Sequence, residues 1–276
     1  GYNWKSGMFR HNFDPPYNEA SKKFSENSIR EINKRKKDDD FILCSMGANN
    51  KPITDAVGLF LTCEPGIGYR GSFARFKCFE SSYLQNFTYG WTSNGESING
   101  NNYDVVIPNY YDIGDFKPCY KKEDYFLYLG RMIVRKGILT AVEVCKQLGK
   151  KLVLAGQGGR VENGMLYGDD FEVPYKNMEY IGYLDKERRT EVMGKAKATF
   201  VATDYLEPFG GVSIESLLSA TPVITTNFGC FPETIPHGRV GYRCQNLDQF
   251  VWAAKNIDKI DPRECRRYAE RNFSLE

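Results

Sequence analysis

The residues best equipped for chemistry lie in one short run, "EPFGGVSIE", where Glu207 and Glu215 bracket a Pro208-Phe209-Gly210-Gly211 turn. Two consecutive glycines let a backbone come close to a ligand. The apolar-periodic run behind them reads as a helix, and the first-turn amides of a helix have no intrahelical acceptor. Such an end attracts phosphate. Glu215 lies one turn further in, ~6 Å along the axis from Gly211 at ~1.5 Å rise per residue. One carboxylate stands before an anion site and one beyond it, which suits hydroxyls at both ends of a sugar–diphosphate–ribose. A second run, "GRMIVRKG", supplies Arg131 and Lys136. Two cations beside a helix N-terminus neutralise a diphosphate without a metal, each charge-assisted hydrogen bond contributing ~1.5–3 kcal/mol. Taken singly, these groups are ordinary: a loop carboxylate, a first-turn glutamate favoured by the helix dipole, and two solvated cations. Their joint placement is what makes a site.

That placement depends on the elements around them. From "YFLYLG" onward, short strands alternate with helical patterns: a helix over 136–149, "KLVLAG", an irregular loop over 157–177, "MEYIGY", a helix over 185–196 and "ATFVAT". A helix over 212–220, "PVITT", a short helix near 230, "GYRC" and two closing helices complete the series. This alternation predicts an α/β fold whose parallel sheet is covered on both faces. Ligands gather outside the carboxyl ends of such strands, and both runs fall on that edge. Upstream come a polar lead-in, a helix over 17–36, and the strands "FILCS" and "VGLFLTC". A Gly-rich turn, an amphipathic helix through "SFARFKCFESSYLQN", a loop over 93–102 and the strand "DVVIP" follow. The polar stretch 112–124 marks a boundary. It divides the chain into an N-terminal domain 1–118, a ligand-binding domain 119–260 and a terminal helix 261–276.

Composition narrows the function. Across 276 residues, 37 basic side chains nearly cancel 35 acidic ones, which gives no support to nucleic-acid binding. The eight cysteines never form Cys-x-x-Cys and sit singly in apolar runs; with only His11 and His237 as histidines, neither a zinc site nor a Cys-His nucleophile is supported. Buried free thiols in a reducing cytosol are the expectation. No apolar run reaches the length of a membrane span, and "GYNWKSGMFRHNF" does not have the pattern of a signal peptide.

At this point the chain resembles a family. "EPFGGVSIESLLSATPVIT" looks like the Glu-x7-Glu signature of retaining glycosyltransferases with the GT-B fold, the family 4 (group 1) type; "YLGRMIVRKG", "LVLAGQG", "VIPNYYD" and "ERNFSLE" resemble further segments of it. The resemblance covers 103–276 and implies two Rossmann-like domains facing a cleft, the N-terminal one reduced here. It implies that Arg131 and Lys136 hold the diphosphate and stabilise the leaving group, that Glu207 contacts the donor sugar, and that Glu215 takes the ribose hydroxyls. Gly210, Gly211 and Val212 would offer amides, Tyr183 and Leu184 would lie by the base, and Gly130, Gly156 and Phe209 would complete the donor site. The implied reaction moves a sugar, with retention, from a UDP- or GDP-sugar to a glycan, lipid-linked or protein acceptor. No cofactor or metal is expected, and the setting is cytoplasmic with peripheral membrane contact allowed. Where the family often places a histidine, this chain offers Glu64 after "VGLFLTC"; with Gly66 and Tyr69 it is carried as a sugar or acceptor contact. A GT-B epimerase and a non-catalytic nucleotide-sugar-binding protein remain as alternatives.

Other signals are read as structural. "GIGYRG", 66–71, satisfies Gly-x-Gly-x-x-Gly, but "EP" separates it from its strand and the acid downstream, Glu96, lies in a loop, so a dinucleotide site is not favoured. "DDD" at 38–40 precedes a strand and reads as a solvated turn, and "KRKK" at 34–37 as a helix C-terminus complementing the dipole.

Overall fold

The computed structural model describes residues 19–45, 47–59, 61–93, 100–174 and 176–276; His11 and Glu96 lie outside them. The chain forms two compact units, Gly1–Pro108 and Asn109–Glu276.

In the first unit the described elements are α1 (Glu19–Arg35), β1 (Phe41–Leu43), α2 (Lys51–Val57), β2 (Leu61–Ile67), β3 (Phe76–Phe79), α3 (Ser82–Thr92) and β4 (Val105–Val106). The strands make a parallel sheet in the order β1-β2-β3-β4. Its inner face holds a small core of Ile67, Phe79 and Leu84, with Phe87 and Val106 packed on it. The register places Phe41 beside Leu61, Leu43 beside Cys63, and Cys78 beside Val105 on the other face. That face is largely bare: Phe41, Leu43, Leu61 and Val105 are all exposed.

The helix expected through 72–86 is not one helix. "FKCF" alternates with period two and forms β3 between β2 and β4, and α3 starts only at Ser82. Ser81 fixes that start: its hydroxyl accepts from the Leu84 amide at 3.2 Å, an N-cap. "DDD" is a turn, as expected, with the Asp40 carboxylate accepting from the Lys37 amide.

The second unit continues with β5 (Tyr125–Leu129), α4 (Ile138–Leu148), β6 (Lys151–Ala155), β7 (Arg160–Glu162), β8 (Met165–Tyr167), β9 (Glu172–Pro174) and β10 (Met178–Tyr180). It ends with α5 (Lys186–Lys195), β11 (Ala198–Val201), α6 (Gly211–Leu218), β12 (Val223–Thr226), α7 (Phe231–Thr234), β13 (Gly241–Cys244), α8 (Leu247–Asn256) and α9 (Pro262–Phe273). Six of these strands form a parallel sheet in the order β10-β6-β5-β11-β12-β13. β11 and β12 are buried at every residue and β5 at all but its last, as a sheet covered on both faces requires.

The loop expected to be irregular over 157–177 contains a small antiparallel sheet, β7-β8-β9. β7 and β8 are joined by Asn163-Gly164, with φ 50° and 74°, the conformation of a two-residue hairpin turn. The units also part earlier than the boundary expected after 118. The Tyr111 amide donates to the Phe273 carbonyl at 2.8 Å and the Leu275 amide to Tyr111 at 3.1 Å, so the connecting segment is stitched to the end of α9. Arg266, buried on α9, donates to the carbonyls of Ile113 and Phe116 and ties the segment further. The terminal helix is thus part of the second unit, where it packs on α6.

Candidate functional site

The site is assembled by loops at the carboxyl edge of the second sheet. After β5 the chain turns sharply, and the Tyr128 hydroxyl donates to the Arg131 carbonyl at 2.7 Å to hold the turn. A short 3-10 turn, Val134–Lys136, then leads to Gly137. A Cβ on Gly137, whose φ is 80°, would stand 1.8 Å from the Ala202 carbonyl oxygen, so only glycine lets the chain after Lys136 press against the end of β11. The Asp204 amide donates to the Arg135 carbonyl at 2.9 Å, locking the two loops together. The Cys230 amide donates to the Glu207 carbonyl at 3.0 Å and fixes the backbone of the second loop. Lys136 and Glu207, 71 positions apart in the chain, are delivered to one place.

Lys136, Glu207 and Glu215 line one cavity of about 270 Å³, together with Gly130, Gly210, Gly211 and Val212. Gly211 opens α6, so the helix N-terminus faces this space. The Lys136 Nζ lies 3.5 Å from Glu207 Oε2, and the Glu207 side chain is only 14% exposed. Tyr205 bridges them, its hydroxyl accepting from Lys136 and donating to Glu207. Burial, reinforced by that bond to Glu207, raises the phenol's pKa and keeps it protonated. The Arg135 guanidinium lies 4.6 Å from the centre of the Tyr205 ring.

Glu215 is in a different situation. Its Oε2 is buried and accepts no hydrogen bond. Arg189 of α5 approaches it, Nε to Oε2 3.5 Å, close enough for attraction but without hydrogen-bond geometry. Burial raises the carboxyl pKa while Arg189 opposes the rise. A buried acceptor without a hydrogen bond costs ~1–3 kcal/mol, offset here in part by the Arg189 charge, and Glu215 is among the residues that line the cavity.

The other expected residues divide. Arg131 follows Gly130 but is exposed, does not line the cavity, and has no hydrogen-bonded or ion-paired partner for its guanidinium among the described residues. Gly156 touches the β5 turn directly; a Cβ there would lie 1.7 Å from the Gly130 carbonyl oxygen. Tyr183 is 60% exposed beyond β10, and Leu184 packs beneath it on the small cluster containing Val192 and Met193. Phe209 is buried edge-on against Phe273, 5.8 Å between ring centres, so its side chain belongs to the core and not to the cavity.

Glu64, Gly66 and Tyr69 belong to the first unit. Glu64 is fully buried, and its Oε2 accepts from the amides of Phe73 and Ala74 at 2.6 and 2.7 Å. Its Oε1 accepts from the Tyr69 hydroxyl at 3.3 Å. With both oxygens engaged, the carboxylate expected to contact a sugar instead fastens the 69–74 loop to β2. Gly66 sits where the β2–β3 register shifts. Tyr205 and Arg189 were invisible to sequence reading. Nothing local distinguishes a loop tyrosine or a helix arginine until the fold sets them beside the glutamates.

A parallel six-stranded sheet thus carries a lysine, two carboxylates and a helix N-terminus around one cavity at its carboxyl edge. The profile of the family described as glycosyl transferases group 1 matches residues 114–272, and the chain belongs to that family. Glycogen synthase from Mycobacterium tuberculosis is 28% identical over 149 residues, 52% of this chain and 36% of the relative. A glycosyltransferase from Methanocaldococcus jannaschii is 24% identical over 144 residues, 49% of this chain and again 36% of the relative. The matched region thus spans little more than a third of the curated relatives. Among solved structures, sucrose-phosphate synthase from Thermosynechococcus elongatus superposes with a TM-score of 0.70 at 18% identity, covering 93% of this chain and 74% of that one. Anabaena HepE bound to UDP and glucose gives a TM-score of 0.67 at 14% identity, covering 95% and 80%. These likenesses establish the GT-B fold. Among the described residues no helix is long and apolar enough to cross a membrane.

Proposed function

We propose that the protein is a retaining glycosyltransferase that takes a sugar from a nucleoside-diphosphate donor held in the second unit and passes it to an acceptor hydroxyl, with the first unit serving the acceptor. The observation that carries this reading is one cavity lined by Lys136, Glu207, Glu215 and the N-terminus of α6, in which Glu215 Oε2 makes no hydrogen bond and meets Arg189 only at 3.5 Å. A carboxylate with hydrogen-bonding capacity to spare suits ribose hydroxyls, and an ammonium beside a helix N-terminus suits a diphosphate. Glu207, which lines the same cavity, would take the hydroxyls of the transferred sugar. HepE, whose structure contains UDP and glucose, has the same fold and makes UDP a natural first probe.

In this reading the anomeric carbon–oxygen bond to phosphate breaks early, positive charge builds on the sugar ring, and negative charge builds on the departing diphosphate. Lys136 and the α6 amides are fixed before the reaction and stabilise that developing charge more than the ground state, which is where the rate gain arises. Arg131, exposed and without an ion-paired partner among the described residues, would swing over the same diphosphate. Because these groups supply the positive charge, transfer is expected to proceed without a metal. A thermal-shift screen against UDP, GDP and ADP sugars tests the donor class. NMR of the product's anomeric proton, with and without EDTA, tests retention and metal independence. No stabilisation by any of the nucleotides would overturn the proposal.

A further inference from the structure

Two opposite charges in a half-buried cavity normally close on one another at ~2.7–2.9 Å. Lys136 and Glu207 do not; they stop at 3.5 Å. The phenol of Tyr205 bridges the two from one side, accepting from the ammonium with its oxygen and donating its proton to the carboxylate. The ring is held in turn. Arg135 lies 4.6 Å and Lys136 Nζ 4.7 Å from its centre, and the Asp204 amide next to it in sequence is bonded to the Arg135 carbonyl. The tyrosine is therefore fixed by both loops that it bridges.

We propose that Tyr205 is a positioning residue that holds the Lys136–Glu207 ion pair at a longer separation than the two would otherwise adopt, so that both charges are more readily given up to a ligand in the cavity. This rests on the reading of the cavity as a donor site. Without the hydroxyl, the ammonium and carboxylate satisfy each other directly, and an incoming diphosphate must break a charge-assisted pair before it can bind. With it, the direct contact is held at 3.5 Å, so the diphosphate competes with a longer and weaker ion pair. The phenol also remains protonated throughout the working range, so it acts as a spacer and not as a proton carrier.

The test is a double-mutant cycle on UDP affinity, measured by calorimetry, with Tyr205→Phe, Glu207→Gln and the double variant. Phenylalanine keeps the ring and its contacts with the two cations, so the loops stay in place. Tyr205→Phe should weaken UDP binding by about 10-fold, and in the Glu207→Gln background the same change should cost less than about 2-fold, because a neutral amide makes no ion pair with Lys136. An equal loss in both backgrounds, or none in either, overturns the proposal. A crystal structure of ligand-free Tyr205→Phe separates this idea from the donor reading. The Nζ–Oε2 separation should shorten to ~2.8 Å; an unchanged separation overturns the spacer role whatever the cavity binds. If the unmodified protein binds neither UDP nor GDP, the donor reading fails, and the crystallographic separation alone decides for or against the spacer.

Discussion

The two sheets of this protein are built from the same kind of parallel strand but are finished differently. In the second unit β5, β11 and β12 are buried on both faces. In the first, Phe41, Leu43, Leu61 and Val105 line a face that stays exposed. The difference shows where the chain invests its rigidity. Loops that must hold charged groups within a few tenths of an ångström need a sheet that does not move beneath them. Lys136 and Glu207 hang from the ends of the most deeply buried strands. The buried carboxylate of the first unit, Glu64, is spent on holding a loop and has no free oxygen to offer.

The comparison breaks most plainly by truncating side chains. Leu127→Ala in β5, fully buried, should cost ~2–5 kcal/mol in urea unfolding. Leu43→Ser on the open face should cost less than ~0.5 kcal/mol. Similar losses at both positions would mean that the open face is covered in solution.

Chemistry should divide in the same way. Lys136→Ala should lower turnover about 100-fold, equivalent to ~2.7 kcal/mol, in a donor-hydrolysis or transfer assay. Glu64→Gln should leave donor affinity untouched while costing ~1–3 kcal/mol of stability, since it puts an amide where two backbone N–H groups and a tyrosine expect a carboxylate. A Glu64 variant that binds donor poorly but unfolds normally would return that residue to the site.

Alkali should sharpen the contrast further. In the second unit burial pushes the thiols of Cys145, Cys244 and Cys265 up to about 12, from an ordinary value of 9.0. The unfolded chain then loses these protons first, so it binds fewer than the folded state between those values, and stability falls as pH rises through that window. Lys122 opposes this in a lower window. Burial depresses its amine to about 8 from 10.5, so the penalty of holding it charged is full below 8 and relieved as pH rises toward 10.5. Urea midpoints in reducing buffer should therefore fall above pH 9, and Lys122→Met should make the fall begin earlier and run steeper. A flat profile to pH 11 would contradict the burial of the thiols.

Most of the second unit was legible because its strands and helices alternate with long, clean apolar runs, and because Gly210-Gly211 and Gly137 mark places where the backbone must come close. The failures have local causes. "FKCF" is too short for its period to be judged against the helix that follows, and the cap that separates them, Ser81, is one ordinary serine. The hairpin over 160–167 was readable from Asn163-Gly164 but was passed over within a polar stretch. The polar stretch 112–124 looked like a boundary because the partners of its first residues, among them Arg266 of α9, lie more than a hundred residues away. In the site, Lys136, Glu207 and Glu215 could be read from spacing. The missing hydrogen bond at Glu215 Oε2 and the position of Tyr205 could not, since both depend on burial and on elements distant in sequence meeting.

The central claim is that Glu215 keeps an acceptor open for the ribose of a nucleotide donor. Calorimetric titration of UDP and GDP into the protein and into Glu215→Gln tests it most directly. The account predicts binding of at least one nucleotide and a loss of about 10-fold or more in the variant, with folding intact by circular dichroism. Equal affinity in the two proteins would contradict it.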